Sequence, residues 1–300
     1  MGAQLRVLRR RIRGVKSTAK ITRAQELIAS SRIIKAQQRM EAAVPYEREI
    51  TRAVSAVLSN SADIDHPLTV AKDRPASAGV LIVTSDRGFA GGFNANVLRE
   101  AEALAAHLRE RGTEIRPYVV GRKGITWHRF RGRDMAGEWS GFSDNPLYAN
   151  AKEIGQALIG SFSEDNGIDE IHVVYTEFRS MLTQQVQVKR ILPLEVEETT
   201  EAPPGGPLPY YEFEPTAGEV LNQLLPRYIE SRIYNALLQS AASEHASRRR
   251  AMKSATDNAN ELIRVFTQQM NQARQAEITQ EISEIVGGAN ALADAAAGKE

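Results

Sequence analysis

From Arg227 to Val286 the chain runs 60 residues without a glycine or a proline. The stretch is rich in Ala, Leu, Arg, Gln and Glu, which lose little side-chain freedom in a helix. As one helix it would be about 90 Å long at 1.5 Å per residue, where an average globular helix has about 11 residues. Such a helix does not fit inside an ordinary compact domain. Apolar residues recur along it, mostly three or four apart: Ile229, Ile233, Leu237, Ala241, then Met252, Ala255, Ala259, Leu262, Phe266, Met270 and Ala273. A face of that kind needs a partner along its length. Gly287-Gly288 is the expected stop, and the Ala-rich segment 289–300 is expected to be a flexible tail.

The N-terminal end offers the partner. Leu5, Leu8, Ile12, Val15, Ala19 and Thr22 follow a 3-4-3-4-3 spacing, the seam of a coiled coil. The pattern then drifts to Ala24, Leu27, Ile28 and Ile34. Pro45 is expected to kink or interrupt the helix, with a second helical stretch to about Leu58. The two ends are expected to pair as a long antiparallel coiled coil. Between them lie short apolar runs at 78–84, 115–120, 171–176 and 186–192, with helical patterns at 94–111 and 152–162. Strands alternating with helices imply an α/β sheet with mainly parallel pairing. The expected organisation is an N-terminal helix over 1–58, an inserted Rossmann-like α/β domain over 75–198, an acidic Pro/Gly loop over 199–218, and a C-terminal helix over 219–288.

Composition closes several routes to chemistry. Cysteine is absent, which excludes disulfides, thiol nucleophiles, Cys-ligated zinc and iron–sulfur clusters. No two of the five histidines are three to five residues apart, which argues against a His-based metal site. No apolar run reaches the ~18 residues of a membrane helix. The Arg-rich N-terminus has the composition of a mitochondrial presequence, but its periodicity is that of a folded helix. Arg6 stands where a myristoylation motif wants Ser or Thr. The chain therefore reads as soluble and intracellular. Its net charge of +1 hides a strong sorting. Residues 1–40 hold eleven Lys and Arg against Glu26 alone, and residues 191–220 hold seven glutamates and no Lys or Arg. Such blocks mark interaction surfaces.

The segment Ser85-Asp86-Arg87-Gly88-Phe89-Ala90-Gly91-Gly92-Phe93-Asn94 follows a strand and precedes a helix. In a nucleotide-binding fold a phosphate would sit there. Neither GxGxxG nor GxxxxGK[ST] is present, so a tight turn with Asn94 capping the helix is the stronger reading. Gly121-Arg122-Lys123-Gly124 likewise reads as a turn. Arg248, Arg249, Arg250 and Lys253 form a basic cluster, to be read as a solvated helix face or as a contact surface, for which acidic protein loops are a better match than nucleic-acid phosphates. No aromatic residues interleave either basic block, so base stacking lacks support. Glu195, Glu197, Glu198 and Glu201 fall where the chain turns loop-like, not on the rigid frame that paired catalytic carboxylates require. His172 reads as a core or edge histidine. No catalytic constellation emerges.

Three stretches carry a family resemblance. They are KSTAKITRAQELIASSR at 16–32, SDRGFAGGFN at 85–94, and the pair ATDNANELI at 255–263 and ARQAEITQEISEIVGGANAL at 273–292. With the helix–α/β–helix order they resemble the gamma subunits of F-type ATP synthases over essentially the whole chain. Gln25, Phe89-Ala90 and Gly287 depart from that family's usual Met, Leu-Cys and Ser. Plant chloroplast members carry a cysteine pair for redox control, which this chain lacks.

The resemblance implies a non-catalytic rotor shaft without a cofactor. Its partners would be the alpha and beta subunits, whose hexamer bore holds the paired helices, and at the foot the epsilon subunit and the c-ring. One copy would serve each complex, at the cytoplasmic face of a bacterial membrane, and proton flow would be coupled to ATP synthesis or its reverse. By match to the family motif, Arg274 and Gln275 would meet a catch loop of a beta subunit. Ile278, Ile282, Ile285 and Val286 would form the apolar bearing in the hexamer sleeve, and Glu214 the contact to the ring. Arg9, Arg10, Arg11 and Arg13 would form a basic track past acidic beta loops. A basic coiled-coil nucleic-acid-binding protein and a nucleotide-dependent enzyme using the 85–94 turn are the competing readings.

Overall fold

A computed structural model describes residues 2–59, 68–69, 72–164, 167–194, 214 and 216–297. The element order is α1 (Gly2–Ser59), β1 (Ser77–Val83), α2 (Phe93–Glu110), β2 (Glu114–Val120), α3 (Arg122–Phe130), β3 (Gly137–Trp139), α4 (Tyr148–Ser163), β4 (Glu170–Phe178), β5 (Gln184–Leu192) and α5 (Ala217–Ala297). Two compact units cut across both long helices: residues 1–28 with 251–300, and residues 29–250.

The 29–250 unit is built on a five-stranded sheet in the order β3-β2-β1-β4-β5. β1 pairs in parallel with β2 and β4, β2 in parallel with β3, and only the edge strand β5 runs antiparallel, against β4. β1 is buried at all seven positions, as a strand covered on both faces must be. Ala78, Val80 and Ile82 pack with Val97, Leu98, Ala101 and Leu108 of α2. Leu81 and Val83 join Ile171, Val173 and Tyr175 of β4 in the larger core on the other face. That core is closed by Ile154 and Leu158 of α4, by Leu225, Ile229 and Ile233 of α5, and by Val54 and Val57 of α1. The segments 29–59 and 217–250 of the long helices thus belong to the α/β unit's own packing.

Residues 4–22 and 256–276 share a two-stranded seam. Leu8, Ile12 and Thr22 are buried and Leu5, Val15 and Ala19 half-buried, as the 3-4 spacing predicts. Thr22 Oγ1 lies 2.7 Å from Thr256 Oγ1, and the Arg11 guanidinium lies 6.0 Å from the centre of the Phe266 ring. Gln4, Val7 and Leu8 line one cavity with Gln272, Ala273 and Ala276. Partners on α5 rise in number as those on α1 fall, so the pairing is antiparallel.

Four local expectations are corrected. The seam does not drift after Thr22: Leu27, Ile28 and Ile34 are exposed, and Glu26, Ala29, Ile33 and Ala36 are the buried positions. A carboxylate at a seam position hid the continuing repeat, and Glu26 is held there by Arg23 at 2.8 Å. Leu262 is exposed and Ile263 takes its place. Pro45 interrupts nothing; α1 is continuous around it, with Ile50, Val54 and Val57 buried just beyond. Nor do Gly287-Gly288 end α5, which is helical to Ala297 rather than loose after 288. Each glycine costs only about 1 kcal/mol in a helix interior, and the following alanines favour the helix most.

Candidate functional site

In an open α/β sheet, ligands bind outside the carboxyl ends of the strands where the strand order reverses. Here that point lies between β1 and β4, since β1 leads to β2 on one side and meets β4 on the other. The sequence SDRGFAGGFN sits at the carboxyl end of β1, where a phosphate would be expected. The chain itself occupies the place. Arg248 of α5, buried, donates from its guanidinium to the backbone oxygens of Arg87 and Gly88 at 3.2–3.3 Å. It also pairs with Glu244 Oε1 at 2.7 Å. Two residues on, Arg250 donates to Leu182 O (2.6 Å) in the turn after β4. Five to nine residues before Arg248, side chains of α5 bond the backbone at the end of β4. Ser240 Oγ accepts from Thr176 N–H, Gln239 Oε1 accepts from Phe178 N–H, and Ser243 Oγ donates to Thr176 O.

The loop's polarity is the reverse of a phosphate cradle, which aims N–H groups at an anion. Here the carbonyl oxygens of Arg87 and Gly88 face a cation, and the N–H groups of Ser85 and Asp86 are taken by Asn94 Oδ1 and Ser143 Oγ. Asp86 accepts from the backbone N–H of Arg122, Gly141 and Ser143 at 2.8–3.1 Å. Burial alone would raise its carboxyl; these three bonds and the Arg122 guanidinium outweigh that and hold it below the ordinary range. Ser143 Oγ accepts from Asp86 N–H at 2.8 Å and donates to Glu244 Oε2 at 3.0 Å. One chain of bonds thus joins Asp86, Ser143, Glu244 and Arg248. Burial pushes the Glu244 carboxyl up, against the downward pull of Arg248. Burial likewise lowers His245, whose Nε2 lies 3.1 Å from Asp144 O, to about 4. Asp144 itself pairs with Arg32 of α1 at 2.5 Å, so both long helices are tied to the loops at the strands' carboxyl ends.

Asn94 does not cap α2, whose N-cap is Gly92. Its Oδ1 instead accepts from Ser85 N–H at 2.9 Å, stapling the loop closed. Gly121-Arg122-Lys123-Gly124 is the start of α3, not a free turn. Gly121 has φ +95°, and a Cβ there would sit 2.3 Å from Thr84 O. His172 lies on β4, buried, 3.4 Å from Glu170. Glu195, Glu197, Glu198 and Glu201 fall outside the described residues. Arg248 is not part of a solvated face, and Arg250 is engaged too. The aligned arginines were visible in the sequence, but only packing shows that Arg248 turns inward. Glu244, Ser143 and Asp144 carried no signal of their own.

The remaining candidates lie on the surface. Arg9, Arg10, Arg11 and Arg13 are exposed along α1 in the helix-pair unit. So are Arg274, Gln275, Ile278, Ile282, Ile285 and Val286 on α5. Gln275, Ile278, Ile282 and Ile285 recur at 3-4-3 spacing, one continuous stripe. Glu214, in the other unit, is exposed. Among the described residues no group of three or more His, Cys, Asp or Glu is placed to hold a metal ion.

A family model described as ATP synthase matches residues 4–292. The ATP synthase gamma chain of Acidothermus cellulolyticus is 65% identical over 295 residues, 97% of this chain and 98% of that one. The gamma chain of Thermobifida fusca is 60% identical over 306 residues, with both chains covered in full. Among solved structures, a chain from the F1/c-ring part of the Euglena gracilis mitochondrial ATP synthase superposes with a TM-score of 0.68 at 16% identity. It covers 97% of this chain and 95% of that one. A chain of the Tetrahymena thermophila central stalk and c-ring gives 0.58 at 23% identity, covering 78% of this chain and 99% of its own. At such identities the likeness is one of fold, and it extends to the helix–sheet–helix order described above. The nucleic-acid reading finds no support in any of these relatives. The chain belongs to the ATP synthase gamma chain family, the non-catalytic central-stalk subunits of that complex.

Proposed function

We propose that the chain is the rotating central shaft of a proton-translocating ATP synthase at the cytoplasmic face of a bacterial membrane. The carrying observation is the helix-pair unit. Its seam buries Leu8, Ile12 and Thr22, yet Ile21, Leu27, Ile28, Ile278, Ile282 and Ile285 remain exposed. Apolar surface of this extent calls for a surrounding partner. An apolar sleeve suits a turning shaft, because hydrophobic contact has no preferred direction. The sleeve would be the bore of the alpha/beta hexamer. Arg274 and Gln275, next to the isoleucine stripe, would engage a beta-subunit loop, an Arg fork matching loop carboxylates. The exposed Arg9, Arg10, Arg11 and Arg13 would pass acidic beta loops as the shaft turns. Glu214 and the acidic segment around it would face the c-ring, with the epsilon subunit beside them. One copy would serve each complex. Among the described residues no helix is long and apolar enough to cross a membrane, so in this reading the ring provides the attachment. Turning of the ring would turn the shaft, whose asymmetric surface would drive three catalytic sites through different states in sequence.

The test is reconstitution. Coexpressed with alpha, beta, epsilon and ring subunits, the chain should copurify at one copy per hexamer. Arg274→Ala should lower ATP synthesis in energised vesicles about tenfold or more, the worth of one charge-assisted bond lost from the power stroke. An unchanged rate would remove Arg274 from the catch, and failure to copurify would overturn the shaft.

A further inference from the structure

A cavity of about 460 Å³ opens between α1 and α5 within the 29–250 unit, and none of the roles above uses it. Its wall is aromatic. Tyr46 stands edge-on to Tyr148, with ring centres 6.3 Å apart and planes at 87°. Tyr148 stands edge-on to Tyr234 at 5.6 Å and 77°. Rings set at right angles offer faces and edges together, the arrangement that receives a further ring. Ala42 and Ala43, one turn before Tyr46 on α1, add small side chains to the lining.

The charges around the cavity decide what enters. Two carboxylates adjoin it, and both are engaged. Glu230 Oε2 accepts from the Tyr148 hydroxyl at 2.8 Å. Glu47 takes Asn235 and, at 3.4 Å, Arg232. The other two charged lining residues are Arg39, from α1, and Arg227, from α5. Among the described residues neither guanidinium has a carboxylate within ion-pair distance. An aromatic box can hold an organic cation, but here a cation would meet two uncompensated guanidiniums and no open carboxylate. We infer that this cavity is a binding site for a small aromatic organic anion, its rings among Tyr46, Tyr148 and Tyr234 and its acid group between Arg39 and Arg227. The volume lies within the range of small-molecule sites, about 300–1,000 Å³, and suits one or two rings with an acid group.

The test titrates the full chain with 2-naphthalenesulfonate and, separately, with neutral 2-naphthalenemethanol. The sulfonate should bind at least about tenfold more tightly. Arg39→Gln and Arg227→Gln should each weaken the sulfonate about fivefold and leave the alcohol unchanged, as expected for partly exposed charge-assisted bonds. Both positions are on the surface, so the fold should survive, which circular dichroism checks. Tyr234→Ala, removing one wall, should weaken both probes. Equal affinity for the two probes would overturn the inference, as would sulfonate binding unaffected in the Arg39→Gln/Arg227→Gln double variant. Either would make the binding adventitious adhesion to apolar surface.

Discussion

Arg248→Ala tests whether the buried chain of bonds between α5 and the loop after β1 holds the unit together. In the wild-type protein Arg248 and Glu244 are 2.7 Å apart, with side chains only 9% and 1% exposed. After the substitution the Glu244 carboxylate keeps Ser143 Oγ and no cation. Removing one partner of a buried pair costs about 3–5 kcal/mol, mostly the penalty of the stranded charge. At roughly 2–4 °C per kcal/mol for 150–250 residues, the melting temperature should fall by about 6–20 °C. The cost should depend on pH. The Glu244 carboxyl sits above its unfolded value, so its folded form holds the proton longer, and stability falls as pH rises through the folded value. Loss of Arg248 raises that value further, and it also eases the acid-side strain on His245, which Arg248 helps to depress. The stability lost should therefore be larger at pH 8 than at pH 5. Replacing both residues by leucine removes the stranded charge and should recover at least half of the loss. The assay is calorimetric melting of the full chain and the variants at both pH values. A loss below about 1 kcal/mol, or a double variant as unstable as the sum of the two singles, would refute the reasoning.

Two further outcomes follow from other residues. His245, held at about 4 by burial, contributes stability above its unfolded value near 6.5 that is lost as pH falls towards 4, about 3 kcal/mol in all; His245→Gln should flatten urea-measured stability across that interval, and an unchanged slope would contradict it. Glu214→Lys should loosen coupling between proton flow and ATP turnover in reconstituted vesicles while leaving the chain's melting unchanged, since Glu214 is exposed.

Regular elements were legible where one physical signal dominated. The seam from Leu5 to Thr22 and the runs over β1, β2, β4 and β5 repeat at their own periods, and the structure places them within one or two residues. Errors came where a local rule met tertiary packing. Glu26 broke the apolar pattern without breaking the seam, because Arg23 holds its carboxylate. Pro45 and Gly287-Gly288 are poor helix residues in isolation, yet neither interrupts its helix. α3 was hidden because Gly121 and Gly124 look like turn residues; they are glycines because Thr84 leaves no room for a Cβ at either. β3, three residues long, is below what alternation can reveal. The site was the least legible part. Arg248 looks identical to its neighbours in the sequence, and its inward turn depends on carbonyl groups 160 residues away.

The filled crevice bears on how a shaft of this kind could carry torque. A helix held only by apolar packing can creep about its axis, because hydrophobic contact lacks direction. Hydrogen bonds with fixed partners resist that turn. Here they are set by Gln239, Ser240, Ser243, Glu244, Arg248 and Arg250, spread over about 16 Å of helix at 1.5 Å per residue. They reach three separate parts of the α/β unit: the end of β4, the turn after it, and the loops around Asp86. Slippage of α5 would have to break bonds at all three together. A bound nucleotide could occupy the same crevice only by expelling Arg248, so the fold's usual ligand position and a locked shaft exclude each other. The sequence SDRGFAGGFN, read for its glycines, suggests the first use; read with Arg248 in place, it serves the second.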